Sequence, residues 1–221
     1  SLSKDGFCLY EASVAAGAKG SQAAEKLATM VSEALGKYRS ATEGAMSPLD
    51  AVAVSSGPGS YTGLRIGMSM AKGLAYGNDA KLIAVPTLEL LCVPVLLGDY
   101  NLPDEALLCP MIDARRMEVY TSIYDRALKA VRPTEAVVVD GDTFADVLNA
   151  HQVYFFGNGA GKCMDVINHP NAHYIDGIEP LAKNMMPLAD KRFHNPQFED
   201  VAYFTPEYYK EYQAKLPKSM L

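Results

Sequence analysis

Histidines and charged loops are the places where this 221-residue chain could do chemistry. His169 and His173 stand four apart, a spacing that on a helix presents two imidazole nitrogens to one metal ion. Pro170 and Asn171 lie between them and predict a turn, so the pair reads as a solvated loop. His151 and His194 have no obvious partners, and an isolated histidine in polar surroundings is more often a surface residue than a base. Asp113, Arg115, Arg116 and Glu118 form a charged cluster that could hold an acid and a base, although a salt-bridged hairpin turn is the plainer expectation. Gly157-Asn158-Gly159-Ala160-Gly161-Lys162 has the glycines and lysine of a phosphate loop. It lacks the Walker spacing and a following Ser or Thr, which favours a strand-to-helix turn. No catalytic residue and no metal-ligand set is assigned.

The most informative segment is Gly57-Pro58-Gly59-Ser60-Tyr61-Thr62-Gly63. It predicts a strand end, a turn whose glycines meet positive φ or close backbone approach, and a helix start with free N–H groups. Such a helix start can hold an anion; a tight structural turn is the alternative, since the loop fits neither GxGxxG nor the Walker pattern. In the following helix Leu64, Met68, Ala71 and Ala75 make one apolar stripe, and Gly63, Gly67, Met70 and Leu74 a second. Arg65, Ser69 and Lys72 make a narrow polar third stripe. A helix this apolar is buried on more than one side, either by its own lobe or by another protein.

The elements that position these residues follow an α/β order. A turn at residues 3–6 leads into a strand at 7–13, and Ser21 can cap an amphipathic helix to Tyr38 with Leu27, Val31, Ala34 and Leu35 on one face. Strand 51–56, the glycine loop, the helix to Tyr76, strand 82–85 and a helix over 86–96 complete a first lobe. A polar, turn-rich stretch at 98–104 predicts the lobe boundary. Beyond it come a hairpin of strands 107–112 and 117–124, a strand at 137–139, a helix over 142–149 capped by Asp142, a strand at 153–156, and helices over 162–168 and 180–193. In the tail, Tyr208, Tyr209 and Tyr212 interleave with Lys210, Lys215 and Lys218, a pattern suited to RNA stacking but also to a packed tail, which is the plainer expectation.

Composition narrows the function classes. Hydrophobic residues at 49% and charged residues at 21% predict an ordinary folded mixture. The net charge of -6 gives no field that would draw a polyanion from solution. The longest apolar stretch, 88–98, carries Glu89 and Pro94 and falls short of the roughly 20 residues a bilayer requires. Cys8, Cys92, Cys109 and Cys163 form no CxxC pair, which predicts free thiols and a cytoplasmic location. The opening residues show no initiator Met and no signal-peptide pattern, and they predict that further residues precede them.

The run SSGPGSYTGLRIGMSMAKGLAYG at 55–77, with Ile83-Ala84-Val85-Pro86-Thr87-Leu88 and Met111-Ile112-Asp113-Ala114-Arg115-Arg116-Met117-Glu118-Val119-Tyr120, closely resembles the TsaB (YeaZ-like) family. The resemblance implies an α/β, two-lobed fold of the actin, sugar kinase and Hsp70 superfamily, with a mixed five-stranded sheet in each lobe. The lobes would be 1–98 and 99–221, the second carrying the C-terminal helix and tail. It implies a catalytically inactive relative of TsaD that supports formation of the threonylcarbamoyl group on the tRNA adenosine beside the anticodon. TsaD and TsaE would be partners, with a homodimer in isolation and tRNA met only indirectly. No cofactor of its own is implied, ATP belonging at most to an interface shared with partners. The expected docking residues are Leu27 and Val31 on the first helix and Arg65, Ser69 and Lys72 on the second.

Three departures from family patterns stand out. The superfamily's opening strand and acidic-Thr-Ser phosphate loop have no match, and Gly20-Ser21 stands where family members often have His-Ser. TsaD-like enzymes hold a metal through an HxxxH pair on the helix after Val85-Pro86-Thr87, whereas that helix here reads Leu88-Glu89-Leu90-Leu91-Cys92. Two alternatives remain: a glycoprotease-like or nucleotide-hydrolysing enzyme, and a homodimeric binding module.

Overall fold

The computed structural model describes residues 1–14, 20–41 and 49–210, with side chains in the first helix described over 26–40. Strands β1 (Leu2–Lys4) and β2 (Phe7–Tyr10) pair antiparallel across a turn in which Asp5 and Gly6 take φ of 49° and 81°. Positive φ at both central residues matches the twist of such a hairpin. Helix α1 (Gly20–Ala41) follows. It buries Tyr38 and half-buries Leu27, Val31, Ala34 and Leu35, the apolar face expected from their spacing. The Ser21 cap lies outside the described side chains.

Strand β3 (Ala51–Gly57), helix α2 (Tyr61–Gly77), strand β4 (Lys81–Pro86) and helix α3 (Thr87–Leu97) form the α/β unit, with β3 parallel to β4. The two-residue period of β3 divides its neighbours. Val52 and Val54 pack with Met68, Ala71 and Ala75 of α2, while Ala51 and Ala53 pack with Ile83, Val85, Leu90 and Val93. Helix α3 is buried nearly all round and joins two cores. Leu90 and Val93 belong to the β3–β4 side; Leu88, Leu91, Cys92 and Val95 pack with Leu108, Tyr124, Tyr154 and Phe156. The Ser55 and Thr87 hydroxyls meet at 2.5 Å, tying the end of β3 to the start of α3.

The larger sheet has five strands, in the order β7 (Ala130–Val138), β6 (Glu118–Tyr124), β5 (Leu107–Asp113), β8 (Val153–Phe156) and β9 (Ala172–Ile175). β6 is antiparallel to β5 and β7, whereas β8 is parallel to β5 and β9, so the sheet is mixed. Such a sheet appears once among the described residues; the first part of the chain carries two separate two-stranded sheets.

Several elements differ from expectation. The helix expected over 142–149 is the single turn α4 (Ala145–Leu148). Asp140, not Asp142, organises its approach, accepting from the Asp142 amide at 3.1 Å and the Thr143 hydroxyl at 2.6 Å. The helix expected over 162–168 opens on a 3-10 turn, Gly161–Cys163, and becomes no α-helix. Helix α5 (Met186–His194), placed with the second lobe from sequence, packs Leu188, together with Met185 just ahead of its first turn, on Ile83, Val85, Leu90 and Val93. Arg192 anchors it to Glu89 of α3 at 2.7 Å. The chain then runs back along the first unit, where the Glu199 amide donates to Leu82 O at 2.8 Å and Val201 and Phe204 pack against Met68, Ala71 and Ala75.

Candidate functional site

The glycine turn joins β3 to α2. Gly57 takes φ +115°, and a Cβ there would meet the Glu207 carbonyl oxygen at 2.8 Å. Gly59 and Gly63 have neither positive φ nor so close a neighbour. Only one of the three glycines is therefore demanded by the backbone, and the approach it permits is used by the chain's own C-terminal segment. Ser60 caps α2: its Oγ accepts from Gly63 N at 3.3 Å and its carbonyl from Leu64 N at 2.8 Å. Pro58 is buried, and Ser60 and Thr62 are exposed. Tyr61 receives Arg65 twice, as a hydrogen bond to its hydroxyl at 2.8 Å and as a guanidinium 5.3 Å from its ring centroid. The Tyr208 ring lies 5.0 Å from the Tyr61 ring.

Helix α2 buries Met68, Ala71 and Ala75 inward. On its outer side Arg65, Ile66, Ser69, Met70, Gly73 and Leu74 line a shallow, open groove of about 550 Å³. Arg65, Ser69 and Gly73 are exposed; Ile66, Met70 and Leu74 are half-buried. The groove is thus a polar edge beside an apolar edge, with glycine and serine leaving room for close approach. Helix α1 packs next to α2 and carries half-buried Leu27 and Val31. Lys72 lies apart from this groove: it is half-buried and donates to Ala202 O at 3.0 Å.

The other charged candidates are occupied internally. The Lys162 ammonium bonds the Asp113 carboxylate and donates to Arg116 O at 2.6 Å and Glu118 O at 2.7 Å. Burial pushes the Asp113 carboxyl up, but hydrogen bonds from Lys162 and the Arg115 amide, with the charges of both residues, hold it below its ordinary range. Asn158 Oδ1 accepts from Asp113 N at 2.9 Å, and a Cβ on Gly157 would meet Met111 O at 2.5 Å. The Gly157–Lys162 loop therefore lies flat on the β5–β6 hairpin. Arg115 and Arg116, with φ of 73° and 49°, form the hairpin's corner. His169 Nδ1 accepts from Asn171 N at 3.2 Å in a turn, and His173 sits on β9 with its ring stacked 4.8 Å from Tyr154. Among the described residues no three His, Cys, Asp or Glu side chains converge as a metal set, and no helix is long and apolar enough to cross a membrane.

Residues 20–215 match the family model of TsaD, tRNA N6-adenosine threonylcarbamoyltransferase. The tRNA threonylcarbamoyladenosine biosynthesis protein TsaB of Bacillus subtilis is 39% identical over 94 residues, which cover 41% of this chain and 38% of that relative. The Escherichia coli protein of the same name is 29% identical over 180 residues, covering 78% of this chain and 76% of the relative. A Pseudomonas aeruginosa structure described as similar to peptidase YeaZ superposes with a TM-score of 0.69 at 22% identity, covering 84% of this chain and 83% of that one. A second P. aeruginosa structure, YeaZ, gives 0.65 at 24% identity and covers 84% of each chain. At these identities the structural likeness concerns the fold, and the mixed α/β fold expected from the sequence is borne out.

Proposed function

Because the chain belongs to the TsaD family, within which it is a TsaB/YeaZ-like protein, we propose that it supports threonylcarbamoyladenosine formation on tRNA as a non-catalytic partner of TsaD. Docking uses the outer face of α2 and the adjoining face of α1. The observation that carries this is the open groove of α2, where Ile66, Met70 and Leu74 remain incompletely covered beside exposed Arg65, Ser69 and Gly73. Apolar helix surface of this kind gains by burial, and small residues let a second helix approach closely. Two helices packed on a partner can reach the roughly 1,200 to 2,000 Å² of a specific interface. Arg65, held by Tyr61, offers a fixed cation at the rim for a carboxylate on the partner. Activation then needs no chemistry from this chain, only tighter binding to the partner's active arrangement. TsaE joins the same assembly, ATP belongs at most to an interface shared with these partners, and the acidic chain leaves tRNA to them.

Calorimetric titration into TsaD of the same organism, with threonylcarbamoyl transfer to tRNA measured in parallel, tests the assignment. Wild type should bind and raise transfer, and Arg65→Glu should lose both while remaining folded. Gly73→Leu is the second variant: a Cβ at Gly73 meets nothing within 4 Å, so the chain folds, yet the added side chain fills the groove. Absence of wild-type binding, with TsaD folded and nucleotide present, would sink the assignment.

A further inference from the structure

The C-terminal segment over residues 199–210 touches both the β3–α2 unit and the five-stranded sheet, and its contacts change side within four residues. The Glu207 amide donates to Ser56 O at 2.8 Å, and its carbonyl lies over Gly57. Tyr208 places its ring against Tyr61, at the first turn of α2. Tyr209 turns the other way, its ring 6.3 Å from Tyr120 of β6. Lys210 pairs with the Glu118 carboxylate and lies 6.0 Å from the Tyr120 ring. Upstream, Lys72 holds the same segment through Ala202 O at 3.0 Å.

We infer that residues 199–210 form a strap that locks the glycine turn and first turn of α2 to strand β6, so that loosening the strap at the β6 end also loosens the start of α2. The physical basis is continuity. The Glu207 carbonyl lies so near Gly57 that an added Cβ would meet it at 2.8 Å, the Glu207 amide holds Ser56 O, and Glu207 is only three residues from the Lys210–Glu118 anchor. The aromatic and basic residues at 208–210 are spent on this bridge. Local opening of such a segment is a cooperative event whose free energy is shared by the contacts that open together. The coupling belongs to the free chain and needs no partner.

Amide hydrogen exchange at residue resolution tests it on the full chain, comparing wild type, Lys210→Met, Glu118→Gln and the double variant. The reporters are the Glu207 amide, bonded to Ser56 O, and the Leu64 amide, bonded to Ser60 O. Each single variant should speed exchange at both reporters by the same factor, on the order of two- to fivefold for an exposed ion pair. The double variant should do no more than Lys210→Met alone, because both substitutions remove the same ion pair and only Lys210→Met also removes the cation beside the Tyr120 ring. Exchange that rises at Glu207 while Leu64 keeps its wild-type rate would overturn the strap. So would additive effects in the double variant, or no change at Glu207.

Discussion

Replacing Lys162 by methionine separates a structural staple from a phosphate-binding lysine. In the fold its ammonium bonds the Asp113 carboxylate and two backbone carbonyls, Arg116 O at 2.6 Å and Glu118 O at 2.7 Å. Its side chain is 24% exposed and that of Asp113 45% exposed. Hydrogen bonds to a charged group contribute about 1.5–3 kcal/mol in favourable settings, and exposed ion pairs about 0–1 kcal/mol. Glu118 O keeps a second donor, Ala114 N at 3.0 Å, which limits the loss. The expected destabilisation is therefore about 2–3 kcal/mol, or a fall in Tm of roughly 4–12 °C for a domain of this size. Urea unfolding followed by far-UV circular dichroism, with m unchanged, measures it. The pH dependence supplies an internal check. Because the Asp113 carboxyl is held below its ordinary range, the pair's contribution is present above the unfolded value of about 3.9 and is lost as pH falls through the folded value. The gap between wild type and Lys162→Met should accordingly narrow below about pH 4. A loss under about 0.5 kcal/mol, well below what three such bonds imply, would refute the staple.

Gly57→Ala should destabilise by about 2–4 kcal/mol, from about 1–3 for the strained backbone and about 1 for the displaced Glu207–Ser56 bond. Gly59→Ala, whose Cβ would lie at an ordinary 3.8 Å from Leu64, should stay near wild type; similar losses at both sites in urea unfolding would contradict the geometry. Thiol titration with Ellman's reagent should find Cys8 reactive in the native state and Cys92, Cys109 and Cys163 protected until unfolding. Burial pushes the Cys92 thiol well above its ordinary value and that of Cys109 up to about 12, so fast native labelling of either would show that the core opens. Burial also pushes Tyr174 and Tyr209 up to about 12, Tyr209 with added help from the Glu207 carboxylate. Their stabilising contribution is complete below the unfolded value of about 10 and is lost as pH rises toward the folded value. Tm should fall across that window, and Tyr209→Phe should flatten part of the fall; an unchanged slope would argue against it.

The parts of the fold legible in the sequence are those whose signal is local. The order β3, α2, β4 and α3 follows from short apolar runs, a glycine turn and helical spacing, and all four elements are present. The sequence predicts only residues 137–139 of β7, because an edge strand buries little. It carries Arg132, Pro133 and Glu135, and its pairing is set by β6. His169-Pro170-Asn171 dominates the segment that enters β9, so the sequence predicts a turn there and no strand. Its strand character comes from register with β8, whose four residues are all buried. Nothing local could place α5 on β4, since that contact joins residues about a hundred positions apart, as the Arg192–Glu89 pair shows.

The same distinction governs the site. Helical spacing put Arg65, Ser69 and Lys72 on one stripe, which the helix geometry allows, since seven residues return close to the same direction. Arg65 and Ser69 do line the outer groove, but the returning chain claims Lys72 through Ala202 O. Glu207 fills the approach that made Gly57 resemble part of an anion site, and Tyr61, Tyr120 and Glu118 engage the aromatic and basic residues at 208–210. A residue suited to a ligand becomes a candidate only where the rest of its own chain leaves it accessible. The Ile66, Met70 and Leu74 edge of α2 meets that condition, and the turn that leads into it is already occupied by the strap.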